Sequence, residues 1–144
     1  MTRVDPLQIL WPVLAQVALT VVVWIALYLA RLGEMRARRI DPQAVKTSRH
    51  AAGVLDNVAA ADNFRNLFEI PVLFYALVPL LLFTHQVTTA ELALAWSFVA
   101  LRACHSAIHI GYNRVVHRFT AYVLSTLCVF AMWALFAFAL AGWT

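Results

Sequence analysis

Apolar and polar positions in this chain fall into long blocks rather than short alternations. Leu7–Ala30 carries no charged residue and would reach about 36 Å as a helix, enough to cross a hydrocarbon core. Pro12 sits near its start, where proline is tolerated. Ile70–Thr84 is apolar but short for a span, so its helix must begin earlier, within the polar stretch that opens at Asp62. Leu92–Leu101 has the same defect at its other end. To cross, it must start near Val87 and continue through Arg102, His105 and His109. Phe119–Trp143 is uncharged throughout. The pattern predicts transmembrane helices at about 7–31, 62–84, 87–110 and 117–142.

The connections complete an all-α reading: one domain, an integral membrane four-helix bundle. A long polar loop covers about 32–61, with a turn at Asp41-Pro42 and a helix-compatible piece around Ala51–Ala61. The loops near Thr84–Ala90 and Gly111–His117 are short, so the third and fourth helices should form an antiparallel hairpin. The N-terminal run is too long for the apolar region of a signal peptide, and only Arg3 precedes it, so it reads as a retained first span.

Composition agrees: 63% of the 144 residues are hydrophobic and 12% charged. The net charge of +4 points towards nucleic acid only until the basic residues are placed. Arg31, Arg36, Arg38, Arg39, Lys46, Arg49, Arg65, Arg102, Arg114 and Arg118 all fall on the first and third loops or the helix ends beside them. Only Arg3 lies on the other side. The positive-inside rule puts those loops in the cytoplasm and both termini across the membrane. The basic excess is a topology signal, and no nucleic-acid motif accompanies it. Cys104 and Cys128 lie in apolar stretches and read as packing residues without a disulfide.

Polar residues inside spans are costly and usually face a bundle interior or water. Two incomplete spans are polar at the same, cytoplasmic end. In the second, Asp62, Asn66 and Glu69 follow i, i+4, i+7, and Arg65 and Glu69 form an i, i+4 pair. In the third, Arg102, His105, His109 and Tyr112 make one stripe; the fourth enters with Arg118 and then Tyr122. Three readings fit these residues. His105, His109 and Glu69 are a conceivable metal set. The polar residues are alternatively interhelical glue. Or Arg65, Arg102 and Arg118 bind carboxylates and Glu69 an ammonium group, with Asn66 and Tyr122 adding hydrogen bonds, as in a pocket for a charged, peptide-like molecule.

The segment Arg65-Asn66-x-x-Glu69 followed by Pro71, and the later Arg102-x-x-His105 with Arg114-x-x-x-Arg118-x-x-x-Tyr122, resemble the MAPEG family (membrane-associated proteins in eicosanoid and glutathione metabolism). The likeness covers nearly the whole chain and is nearest the prostaglandin E synthase branch and its bacterial relatives. It implies a homotrimer in a bacterial inner membrane, binding glutathione between subunits on the cytoplasmic side. It further implies that Arg65, Asn66, Glu69, Arg102, His105 and Tyr122 hold glutathione, with Arg31 a further match at the end of the first helix. Arg118 would stabilise the thiolate, with His109 beside it as the second catalytic position. Lipophilic electrophiles or peroxides would enter from the bilayer, and no metal is implied. The chain departs from the pattern at His109, where catalytic relatives commonly have tyrosine. It departs also at Phe119, where the prostaglandin synthase has serine, and at Asp62, where that branch has arginine. A non-catalytic protein of the same fold is the alternative that these departures support.

Overall fold

The computed structural model describes residues 4–56 and 59–142. Arg3 and Trp143 lie outside the described residues, as does the side chain of Arg49. Among the described residues six α-helices follow in order: α1 (Leu10–Arg38), α2 (Ser48–Val54), α3 (Ala59–Asn66), α4 (Ile70–Phe83), α5 (Thr89–Ile110) and α6 (Val115–Leu140). Four helical stretches, Pro6–Arg38, Ala59–Phe83, Thr89–Ile110 and Val115–Leu140, are long and apolar enough to cross a membrane. The chain is an all-α, multi-pass membrane protein.

The helices end where local chemistry says they should. Asp5 accepts from the Leu7 N–H ahead of α1. Thr88 accepts from the Glu91 N–H at the start of α5, the Thr-x-x-Glu spacing of a capping box. α1 continues past Arg31, where its apolar pattern stops, because Leu32–Arg38 is rich in helix formers and Glu34 pairs with Arg38 at 2.6 Å. The same Arg38 Nη1 donates to the Val54 carbonyl at 3.0 Å and to Asp56 at 2.9 Å. The polar loop is thereby tied back to the end of α1, with Ala51 and Leu55 buried beneath it.

The second span is not one helix. It breaks at 67–69, between α3 and α4, and Glu69 takes a non-helical φ of −95° and ψ of −97°. Pro71 is the cause. It has no N–H to offer the Leu67 carbonyl, and it disfavours helical geometry at Ile70. At this break Glu69 leaves the face that Asp62 and Asn66 share on α3, and among the described residues no ion pair joins Arg65 to Glu69. Arg65 instead meets Asp62 at 3.6 Å.

α5 and α6 pack along their length as a hairpin joined by residues 111–114. Gly111 is required there, since a Cβ would lie 2.8 Å from the Ala107 carbonyl oxygen. The two ends of the bundle differ in chemistry. One half is an apolar core of Ile9, Phe74, Leu77, Leu81, Ala95, Phe98, Val129, Met132 and Phe136. The other half, towards the basic loops, is polar inside. Large apolar side chains point outwards instead, among them Trp11, Leu29, Phe83 and Phe130, as a surface facing lipid requires.

Gln16 breaks this division. It is fully buried on α1, and neither amide atom has a hydrogen-bond partner among the described residues. An unpaired buried amide costs about 1–3 kcal/mol. Gln16→Leu is therefore expected to raise the thermal midpoint of the detergent-solubilised protein by several degrees. A lower midpoint would show that Gln16 is bonded in the folded protein.

Candidate functional site

Four elements meet at the polar end of the bundle. The break after α3 exposes the last carbonyl groups of that helix, which have no intrahelical partner. Arg102 on α5 takes one of them: its Nη2 donates to the Asn66 carbonyl oxygen at 2.6 Å. Asn66 contributes its backbone here.

Arg102 is completely buried, although an arginine carries five donors and cannot shed its charge. Its Cζ lies 5.4 Å from the centre of the Tyr122 ring, a cation–π geometry. Its Nε and Nη1 are buried with no hydrogen-bond partner among the described residues. Tyr122, on α6, donates its hydroxyl to Glu69 at 3.2 Å. Glu69 is itself exposed, so one of its faces is open to another partner.

The next layer is built on α5. His105 and His109 are 2% and 3% exposed and lie edge to face, with ring centroids 5.6 Å apart. His105 Nδ1 donates to the Arg118 carbonyl at 3.0 Å, and its Nε2 is buried without a partner among the described residues. Arg118 Nη1 is 3.1 Å from His109 Nε2. Since arginine has only donors, Nε2 accepts, and the proton of a neutral His109 sits on Nδ1. The same Nη1 donates to Asn113 Oδ1 at 2.8 Å.

The structure therefore joins Asn66, Glu69, Arg102, His105, His109, Arg118 and Tyr122 into one connected network. It does not bring in Arg65, which is exposed and turned to Asp62. Arg31 is half-buried on α1, and no hydrogen bond or ion pair links it to the network among the described residues. Tyr112 leaves the α5 stripe because Gly111 ends the helix. It is 65% exposed and bonds His117 Nδ1 at 3.1 Å.

Three polar residues of this end were not singled out from the sequence. Asn63 and Ser106 are buried and bonded across α3 and α5, Ser106 donating to Asn63 Oδ1 at 3.1 Å. Asn113 lies in a turn, where its only sequence signal is asparagine's tolerance of left-handed backbone.

The site carries two guanidinium groups and one carboxylate linked through Tyr122 and the two histidines, with Arg102 Nε and Nη1 buried and without a hydrogen-bond partner among the described residues. Charged donors left without partners are chemically suited to an anion. Among the described residues no three His, Cys, Asp or Glu side chains converge as a metal site would need. A family model described as the MAPEG family matches residues 9–138. No curated protein and no solved structure matches the chain.

Proposed function

Because the chain belongs to the MAPEG family, whose members include glutathione-dependent enzymes, we propose that it is a glutathione-dependent transferase or peroxidase acting on lipophilic electrophiles. The observation that carries this reading is the buried, unpartnered set of Arg102 Nε and Nη1 with His105 Nε2, beside a Tyr122–Glu69 pair and a positioned Arg118. Glutathione is a zwitterion with two carboxylates, an ammonium group and a thiol, and this inventory answers each of them. Arg102 supplies charged donors for a carboxylate. Glu69, on its open side, accepts from an ammonium group. His105 and Tyr122 complete the holding set within the subunit, and Arg65, Asn66 and Arg31, whose side chains stand outside the connected network, join it in the assembled protein.

Bound glutathione would supply a thiol whose ionised form bonds to an electrophilic carbon as a leaving group departs with its electron pair, or takes the terminal oxygen of a hydroperoxide as the O–O bond breaks and the alkoxide picks up a proton, a second glutathione then giving disulfide and water. Arg118 holds the negative charge of that sulfur, since a nearby guanidinium favours the ionised form. His109 accepts from Arg118 and fixes the direction of the guanidinium. Neither Cys104 nor Cys128 is needed as nucleophile.

In this reading the basic loops face the cytoplasm of a bacterial inner membrane, and both termini lie on the other side. The protein assembles as a homotrimer, in which exposed Arg65 and Glu69 are completed by a neighbouring subunit. The outward apolar faces supply contacts to lipid and to the neighbouring copies. A non-catalytic protein that keeps the ligand pocket is the second reading. It is favoured by Phe119, which is 64% exposed next to Arg118 and brings no hydroxyl to it.

Calorimetric titration of the detergent-solubilised protein with glutathione tests the proposal. Binding is expected for the wild type and weakening for Glu69→Gln. Absence of heat at millimolar ligand would remove it, whereas binding without turnover of a model aryl halide would select the second reading.

A further inference from the structure

We propose that Asn113 is a positioning residue for Arg118: together with His109 it mounts the guanidinium on two neutral acceptors, leaving its positive charge available to an anion. The inference rests on the glutathione reading above and deepens it.

The turn after α5 fixes where Asn113 stands. Its φ is 47°, the left-handed region that asparagine enters more readily than most residues. Its N–H donates to the Ile108 carbonyl at 2.8 Å, and that of Gly111 to the Ala107 carbonyl at 2.9 Å. From this pinned backbone Oδ1 accepts from Arg118 Nη1 at 2.8 Å, while His109 Nε2 accepts from the same nitrogen at 3.1 Å. Nη1 has two hydrogens, and both are used. Among the described residues the other nitrogens of this guanidinium make no hydrogen bond, and no carboxylate pairs with it.

Arg38 in the same chain shows the contrasting mount. It is held by Glu34 and Asp56, both carboxylates, so its charge is offset where it sits. A carboxamide and a neutral imidazole fix the direction of the Arg118 guanidinium without offsetting its charge. An approaching anion then meets an undiminished charge on a side chain that has already lost its rotamer freedom.

Two substitutions at this position separate the hydrogen bond from the backbone and from the charge. Asn113→Gly keeps the positive φ without strain and removes only the acceptor. Asn113→Asp keeps the acceptor and tolerates the backbone, but places a carboxylate on Arg118. The readout is the pH midpoint of the ultraviolet thiolate band of glutathione bound to the detergent-solubilised protein, with a thermal melt of each variant. The wild-type midpoint is expected well below that of free glutathione. Asn113→Asp should raise it by about one unit, and Asn113→Gly by less, with both melts close to wild type. Unchanged midpoints in both variants, with an ionised thiol in the wild type, would overturn the proposal and leave the glutathione reading standing. A merely structural role would lower the melt of Asn113→Gly and leave its midpoint in place, which also overturns it. A wild type that leaves the thiol protonated overturns the glutathione reading and this proposal with it.

Discussion

Arg118→Ala is expected to lower glutathione-dependent turnover of a model aryl halide about 25-fold at neutral pH, with the loss shrinking as the medium becomes alkaline. A free thiol ionises near pH 8.5 and is only a few per cent thiolate at neutrality. A lowering of about two pH units, worth roughly 2.7 kcal/mol, makes it about three-quarters ionised there. The stabilisation from Arg118 therefore matters below the pH at which the free thiol ionises and is lost as pH rises through that value. Parallel pH profiles of the wild type and Arg118→Ala would measure it. Arg118→Lys should fall between the two, because an ammonium keeps the charge but cannot satisfy His109 and Asn113 from one planar fork. A deficit of the same size at every pH would show that Arg118 acts on something other than the ionisation of the sulfur.

The second large effect concerns Arg102, and it divides stability from binding. Arg102→Met should weaken glutathione binding by about 2–3 kcal/mol, roughly 30- to 150-fold, because a charged donor set for a carboxylate is removed. The fold should not suffer in proportion. The substitution leaves the Asn66 carbonyl unpaired, at about 1–3 kcal/mol. It also removes a fully buried guanidinium with two unpartnered nitrogens, whose desolvation costs several kcal/mol. The thermal midpoint without ligand is thus expected to equal or exceed that of the wild type, while the stabilisation by added glutathione disappears. A large drop in midpoint with unaltered binding would make Arg102 a structural residue and overturn its assigned role.

That contrast explains which features were legible in the sequence. The spans could be read because a membrane-crossing helix is specified by length and apolarity alone, and 144 residues held four such stretches. The Arg102–His105–His109 stripe was legible for the same kind of reason: on an unbroken helix, spacing is direction, and all three side chains are buried on α5. Spacing failed wherever the helix did. The i, i+4 pairing of Arg65 with Glu69 assumed a continuous second span, and Pro71 stops it two residues beyond Glu69. The same break turned Asn66 from an expected side-chain ligand into a backbone acceptor for Arg102. Tyr112 followed the stripe on paper, and Gly111 took it away. Asn113 had no periodic signal, since its role depends on a left-handed turn and on a side chain five residues further on. Gln16 was hidden because one amide hardly alters the apolarity of a span, yet its burial without a partner only emerges from packing.

The central claim is that this polar end holds glutathione with its sulfur ionised beside Arg118. The ultraviolet difference spectrum of the wild-type protein on saturation with glutathione at neutral pH tests it most directly. The account predicts a thiolate band in proportion to the bound tripeptide, absent from Arg118→Ala. Saturable binding with no thiolate band, or a band undiminished in Arg118→Ala, would contradict it.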